Sequence, residues 1–268
     1  MIITKKIKYI VLIILLNVLF LHTKAQFIPY KNLDIASQQF SIDNLGNVFA
    51  LHKGVISKHD ENSKLLNVYQ DKGGLIDFID ANNPLRIIAY SSVFATVYFF
   101  DSQLAMQSAV KLREAIGGNP LLVCNSSTAS FWVYDQATTV LTSYNDQLQP
   151  QSQSQPINLT VPDFSAIKKM YETEKWLVLL TDNNKFLIFD VAGNYFKSIQ
   201  AHAPLDFGIN SEAIISLENA AIKLYGIKNN EASSLSTVIP AECYGLKFSN
   251  KKLFLANPMQ INILKLAE

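Results

Sequence analysis

The sequence predicts an all-β chain: a β-propeller of six four-stranded blades, closed by pairing of an N-terminal strand (27–34) with a C-terminal strand (260–266). Three observations lead there. Residues 164–200 read as four short strands joined by tight turns. A strand-and-turn pattern recurs along the chain at a period near 40 residues. Behind an N-terminal leader, roughly 240 residues remain, which six such units fill with nothing left for a second domain.

In the 164–200 stretch, residues 176–181 (WLVLLT) are an apolar run too short for an ordinary helix. Asp182, Asn183 and Asn184 follow, residues that tolerate left-handed backbone and bond their own main chain. Residues 185–190 (KFLIFD) form the next strand, the turn at 192–194 the next reversal, and 195–200 the last strand. Residues 165–170 supply the first strand, ahead of a turn at Glu172, Thr173 and Glu174. A helix is the alternative there, because Asp163 could cap Phe164, Ile167, Lys168 and Tyr171 at helical spacing. Recurrence of the pattern elsewhere without such a cap favours the strand.

The recurring unit appears at 55–60, 98–103, 132–136, 187–191, 223–227 and 261–265. Copies lie about 35 to 41 residues apart, with one gap of 55. Taken in order, blade one runs over 40–70 and blade two over 75–111. Blade three starts near 110–116 and continues to 144. Blade four is the unit above, blade five spans 206–238 and blade six 243–266. Blade six is one strand short and the chain start has one to spare, so pairing 27–34 with 260–266 closes the ring and removes an open edge. Residues 147–156 (QLQPQSQSQP) lack apolar side chains to bury. They read as a surface loop or an irregular outer strand, within a Gln/Ser/Pro-rich insertion at 147–163.

Residues 1–25 have the form of a cleaved signal peptide. Lys5, Lys6 and Lys8 precede an apolar core over 10–21, and Thr23, Lys24 and Ala25 end it. The core falls short of the roughly twenty residues that span a bilayer. The expectation is therefore export to the periplasm or beyond, no stable transmembrane segment after cleavage, and a single domain over 26–268. Losing Lys5, Lys6, Lys8 and Lys24 takes Lys+Arg from 23 to 19 against 22 acids, so the processed chain carries about −3. That is no basic field for nucleic acid. Cys124 and Cys243 fall in blades three and six, on opposite sides of the ring. A disulfide needs Cα atoms within about 7 Å, so two buried free thiols are expected.

Catalytic spacings are absent: there is no G-x-S-x-G, H-E-x-x-H, C-x-x-C or G-x-x-x-x-G-K-[ST]. Gly73-Gly74 and Gly117-Gly118 are isolated pairs at turns. Residues 43–47 (DNLGN) begin like a calcium loop, but no bidentate Glu stands six or seven residues after Gly46, where the chain has His52 and Lys53, so they read as a hairpin turn. His52, His59 and His202 show no metal-like spacing. Asp77, Asp80, Asp206 and Glu212 lie in or beside candidate innermost strands and could ring a divalent cation at the axis; the ordinary reading is turn capping and solvation. Trp132, Tyr134, Trp176 and Phe189 sit inside strands, where packing between blades explains them. No cofactor is indicated.

The Asp-x-x-Gly-Asn hairpin at 43–47 and the turns at Asp101, Asp135 and Asp190 resemble those of exported six-bladed propellers of the NHL/TolB-like type. The resemblance is generic and spans the processed chain. It implies protein-interaction scaffolds and, less often, metal-dependent lactone hydrolases. A non-catalytic interaction module of the bacterial cell envelope is the first functional expectation, with an envelope protein as partner. A lactonase-like metal hydrolase and a carbohydrate-binding propeller are the alternatives. Carboxylates clustered in the axial funnel would favour the enzyme; a plugged or apolar funnel would favour the scaffold.

Overall fold

The computed structural model describes residues 27–267 except 74, 129, 220 and 230; the expected leader lies outside them. Twenty-four described strands form six four-stranded antiparallel sheets. Blade one holds β2 (Gln39–Ile42), β3 (Val48–His52), β4 (Val55–His59) and β5 (Leu65–Gln70). Blade two holds β6 (Phe78–Asp80), β7 (Ile87–Ser91), β8 (Thr96–Phe100) and β9 (Met106–Lys111). Blade three holds β10 (Pro120–Asn125), β11 (Ser130–Asp135), β12 (Val140–Asn145) and β13 (Pro150–Gln153). Blade four is β14 (Ile167–Glu172), β15 (Trp176–Thr181), β16 (Lys185–Asp190) and β17 (Tyr195–Gln200). Blade five is β18 (Pro204–Ile209), β19 (Ala213–Glu218), β20 (Ala221–Gly226) and β21 (Ala232–Leu235).

Blade six joins the two ends of the described chain. β22 (Gly245–Ser249), β23 (Lys252–Ala256) and β24 (Ile261–Leu266) are completed by β1 (Phe27–Leu33), in the order β1-β24-β23-β22. Phe27 sits opposite Leu266 and Leu33 opposite Ile261, with a bulge between Pro29 and Lys31. The expected closure is thus the observed one.

Burial explains the ring. Successive side chains on a strand point to opposite faces of the sheet, so each blade has two apolar faces to cover. On β7, Ile87 and Ala89 join a cluster with Phe49 and Leu51 of blade one, while Ile88 and Tyr90 join one with Phe131 and Val133 of blade three. The described core divides in this way into six clusters, one at each seam between neighbouring blades. β1 serves two seams: Phe27 packs toward blade five and Leu33 toward blade one. Trp132, Tyr134 and Phe189 fill the seam between blades three and four, and Trp176 the next one. Cys124 and Cys243 are free and buried.

Blade three departs from the expected layout. Its first strand is not at 110–116. Val110 belongs to β9, and a one-turn helix, α1 (Leu112–Ala115), follows with Leu112 fully buried. The fourth strand is β13, within the Gln/Ser/Pro stretch, so of the two readings of 147–156 the structure takes the outer strand; a second helical turn, α2 (Ile157–Thr160), comes next. Outer strands need few apolar residues: β5, β9, β13 and β17 are exposed along most or alternate positions. The motif copy at 132–136 also proves to be a second strand, whereas the other copies are third strands. The true counterpart in blade three is β12, ending in Asn145. Asp60, Asp101, Asn145 and Asp190 each accept main-chain N–H groups two and four residues on, closing the same turn in four consecutive blades. The 55-residue gap came from comparing different strands. At 43–47, Asp43 accepts the same two N–H bonds, at 2.9 and 2.8 Å, in a hairpin turn. In blade four the helix alternative fails, and the first strand extends two residues further than expected, through Glu172.

Candidate functional site

The six innermost strands β2, β6, β10, β14, β18 and β22 surround the axis and all run the same way. Strand alternation then puts two sets of loops on one face: those leading into inner strands and those joining second to third strands. That face is called here the entry face. A cavity of about 410 Å³ opens among the beginnings of the inner strands, and a smaller one of about 60 Å³ among their ends. Tyr171 and Lys247 border both.

These two residues divide the channel. Lys247 Nζ lies 3.7 Å from the centroid of the Tyr171 ring, a cation–π contact. It also donates to Asp206 Oδ2 at 3.4 Å, while Lys169 Nζ donates to Asp206 Oδ1 at 2.8 Å and the Tyr171 hydroxyl to the same oxygen at 3.5 Å. Pleating puts Lys247 on the axis, because Leu246 and Phe248 on either side of it face the core. Lys169 and Asp206 each follow a bulge near the start of their strand, between Ile167 and Lys169 in β14 and between Pro204 and Asp206 in β18.

Burial alone would raise the Asp206 carboxyl, but the Lys169 and Lys247 ammonium groups outweigh it and hold the carboxyl below its usual range. Burial pulls Lys247 down, against the pull of Asp206. Tyr171 is pushed well up, by burial first and then by the Asp206 charge.

The buried acids also knit the blades. An inner strand pairs with its own blade on one edge only, so its other edge has main-chain N–H groups to satisfy. Side chains of the preceding blade accept them: Asp206 from Leu246 at 2.9 Å, Asp80 from Asn125 at 2.9 Å, Gln39 from Ile79 at 2.8 Å and Ser41 from Ala81 at 2.9 Å. In the reverse direction Glu172 accepts Ser127 N–H at 2.7 Å, the Ser126 hydroxyl and the Trp132 indole N–H. Burial pushes both Asp80 and Glu172 up, against these hydrogen bonds.

The four acids named from the sequence do not converge. Asp77 is on the rim of the entry cavity, bonded to Ser92; Asp80 borders the small cavity; Asp206 is at the divide. Glu212 lies in the β18–β19 hairpin beside a separate surface depression with Lys175 and Lys228. Among the described residues no three His, Cys, Asp or Glu side chains are grouped to hold a metal ion. His59 bonds Ser57 Oγ at 3.0 Å, His202 is exposed in a loop, and His52 Nδ1 is buried with no hydrogen-bond partner among the described residues.

Sequence reasoning missed Lys169, Tyr171, Glu172 and Lys247. Glu172 looked like a turn residue and proves 4 % exposed. A lysine between Leu246 and Phe248 in an innermost strand was the available signal.

No family model matches the sequence, and no curated protein matches it either. Solved structures do match in fold. Virginiamycin B lyase from Staphylococcus aureus superposes with a TM-score of 0.62 at 11 % identity, covering 91 % of this chain and 99 % of that one. The Neurospora crassa Pan2 WD40 domain gives 0.57 at 12 % identity, with 88 % and 78 % covered, and a chain of a mitotic checkpoint complex gives 0.60 at 10 %, with 92 % and 94 % covered. At such identities these likenesses establish one thing: the chain is a β-propeller of six blades.

Proposed function

We propose that this chain is a non-catalytic protein-binding propeller of the bacterial cell envelope, of the NHL/TolB-like type, exported by its first 25 residues and binding through its entry face. The observation that carries the reading is the placement of apolar side chains on that face. Leu75, Val93, Phe94, Leu159, Val238 and Met259 all stand in entry-face loops and are 36 to 82 % exposed, while Leu85 on the other face is 84 % exposed. Loops held by a rigid scaffold are where propellers and other β folds place their binding residues. The axial groups support a non-catalytic role, because Asp206, Lys169, Lys247, Asp80 and Glu172 are engaged with one another or with the neighbouring blade. Among the described residues no helix is long and apolar enough to cross a membrane.

The test is cross-linking of the tagged protein in intact cells, with the Val93→Asp/Phe94→Asp pair on the entry face and Leu45→Asp on the other. A specific envelope protein should be captured by the wild type and by Leu45→Asp, and lost with the entry-face pair. Capture unchanged by the pair, or no specific capture at all, would remove the reading. Terminal sequencing of the purified protein should begin at Gln26; an intact Met1 would remove the export.

A further inference from the structure

We propose that the entry-side axial cavity binds a small monocarboxylate with an apolar body, its carboxylate held at the cavity floor by Lys169 and Lys247. The inference does not depend on the protein-binding role of the rim.

Three observations converge. The first is size: about 410 Å³ lies within the range of pockets that enclose small ligands, roughly 300 to 1,000 Å³. The second is the wall. Phe40, Phe78, Tyr90, Leu122, Met170 and Tyr244 line it, and the polar ends of the two tyrosines are already engaged: Tyr90 donates to Pro120 O at 2.7 Å and Tyr244 meets Ser37 Oγ at 2.6 Å. The wall therefore presents carbon to a ligand.

The third is the charge of the floor. Two ammonium groups meet one carboxylate there, and that carboxylate also accepts the Leu246 N–H. An ammonium is a multiple donor, yet among the described residues the hydrogen bonds of Lys169 and Lys247 go to Asp206. Both side chains line the entry cavity, and Lys247 also meets the Tyr171 ring. The next acids do not restore the balance. Asp80 and Glu172 border the small cavity on the far side, where their oxygens accept N–H groups of blade three. At the rim, Lys168 pairs with Asp182 at 3.4 Å and Asp77 bonds Ser92. One positive charge is left over at the floor. A monoanion cancels it in a partly desolvated site, where charge-assisted hydrogen bonds are strongest. A dianion would exceed it and meet Asp206.

Calorimetry with phenylacetate, indoleacetate and octanoate tests this, with phenylacetamide as the uncharged counterpart and inorganic phosphate as the dianion. At least one carboxylate should bind. Its amide should bind at least about tenfold more weakly, as should Lys169→Gln toward the acid, matching the loss of one charged hydrogen bond. Lys168→Gln, at the rim, should stay within about twofold. Lys247→Met should behave like Lys169→Gln; if it does not fold, Lys169→Gln, whose side chain is 33 % exposed, decides alone. No binding of any of the three acids to folded wild-type protein, equal binding of phenylacetamide, an unaffected Lys169→Gln, or a preference for phosphate would each overturn the proposal.

Discussion

Lys247 and Tyr171 meet face-on across the axis, ammonium over ring at 3.7 Å, and the contact converts a continuous channel into two cavities. The two residues come from blades six and four. Asp206, in blade five between them, bonds both. The divide is therefore also a joint among three blades, and its loss should be felt by the whole fold.

Asp206→Ala removes the counter-charge of a buried lysine and the acceptor of the Leu246 N–H. The expected cost is about 3–5 kcal/mol, the range for breaking a buried pair from one side. Asp206→Asn keeps an acceptor and should cost less. Urea denaturation checks both, and a cost for Asp206→Ala of less than about 1 kcal/mol would show that the joint is not structural.

The pH dependence of these acids runs in opposite directions. The Asp206 carboxyl is depressed in the folded state. Its stabilisation is thus complete above the unfolded value of about 3.9 and is lost as pH falls through the depressed value. Glu172 is raised, so its contribution is complete below about 4.3 and is lost as pH rises through the raised value. Relative to wild type, Asp206→Asn should therefore cost less at about pH 3 than at pH 7, and Glu172→Gln less at about pH 7 than at pH 4. Paired urea titrations at those values measure the differences; a cost independent of pH in either variant contradicts its assignment.

Trp132 and Glu172 tie blade three to blade four through a buried N–H donor and a carboxylate. Trp132→Phe keeps the ring packing and deletes the donor. It should lower stability by about 1.5–3 kcal/mol, the range for a hydrogen bond to a charged group. Hydrogen exchange should show the loss first at the seam of β10, β11 and β14, and an unchanged midpoint would show that the serines suffice.

β1 closes blade six and two seams at once. Deleting residues 27–33 from the processed chain bares the edge of β24, which should unfold or aggregate the protein. Leu33→Ala, at a fully buried position, should cost about 2–5 kcal/mol. A truncated chain with native exchange protection in blades one and five would contradict the closure.

Cys124 and Cys243 should resist thiol reagents until the protein unfolds. Burial raises the Cys124 thiol well up and pushes Cys243 up to about 11, leaving little thiolate near neutral pH. Both should label in denaturant, and reductant should leave the unfolding midpoint unchanged. Rapid labelling of either thiol in native protein would show that its seam opens.

Local pattern determined most of the architecture. Residues 176–200 announce their strands because alternating apolar runs and Asn, Asp and Gly turns need only near neighbours to be read. Even the ring closure was legible, since a blade lacking one strand and a chain start with one to spare leave a single economical pairing. β13 was harder, because an outer strand has little to bury and its polar sequence looks like a loop. The site was decided only by the tertiary structure. Lys169, Asp206 and Lys247 stand about 40 positions apart, one in each of three blades, and nothing local says which faces of their strands meet. Bulges in β14 and β18 set the side-chain direction of two of them, and closing six blades around an axis brings all three together. The charge balance of the channel is thus a property of the assembled ring, because it depends on distances that the chain acquires only when every seam is packed.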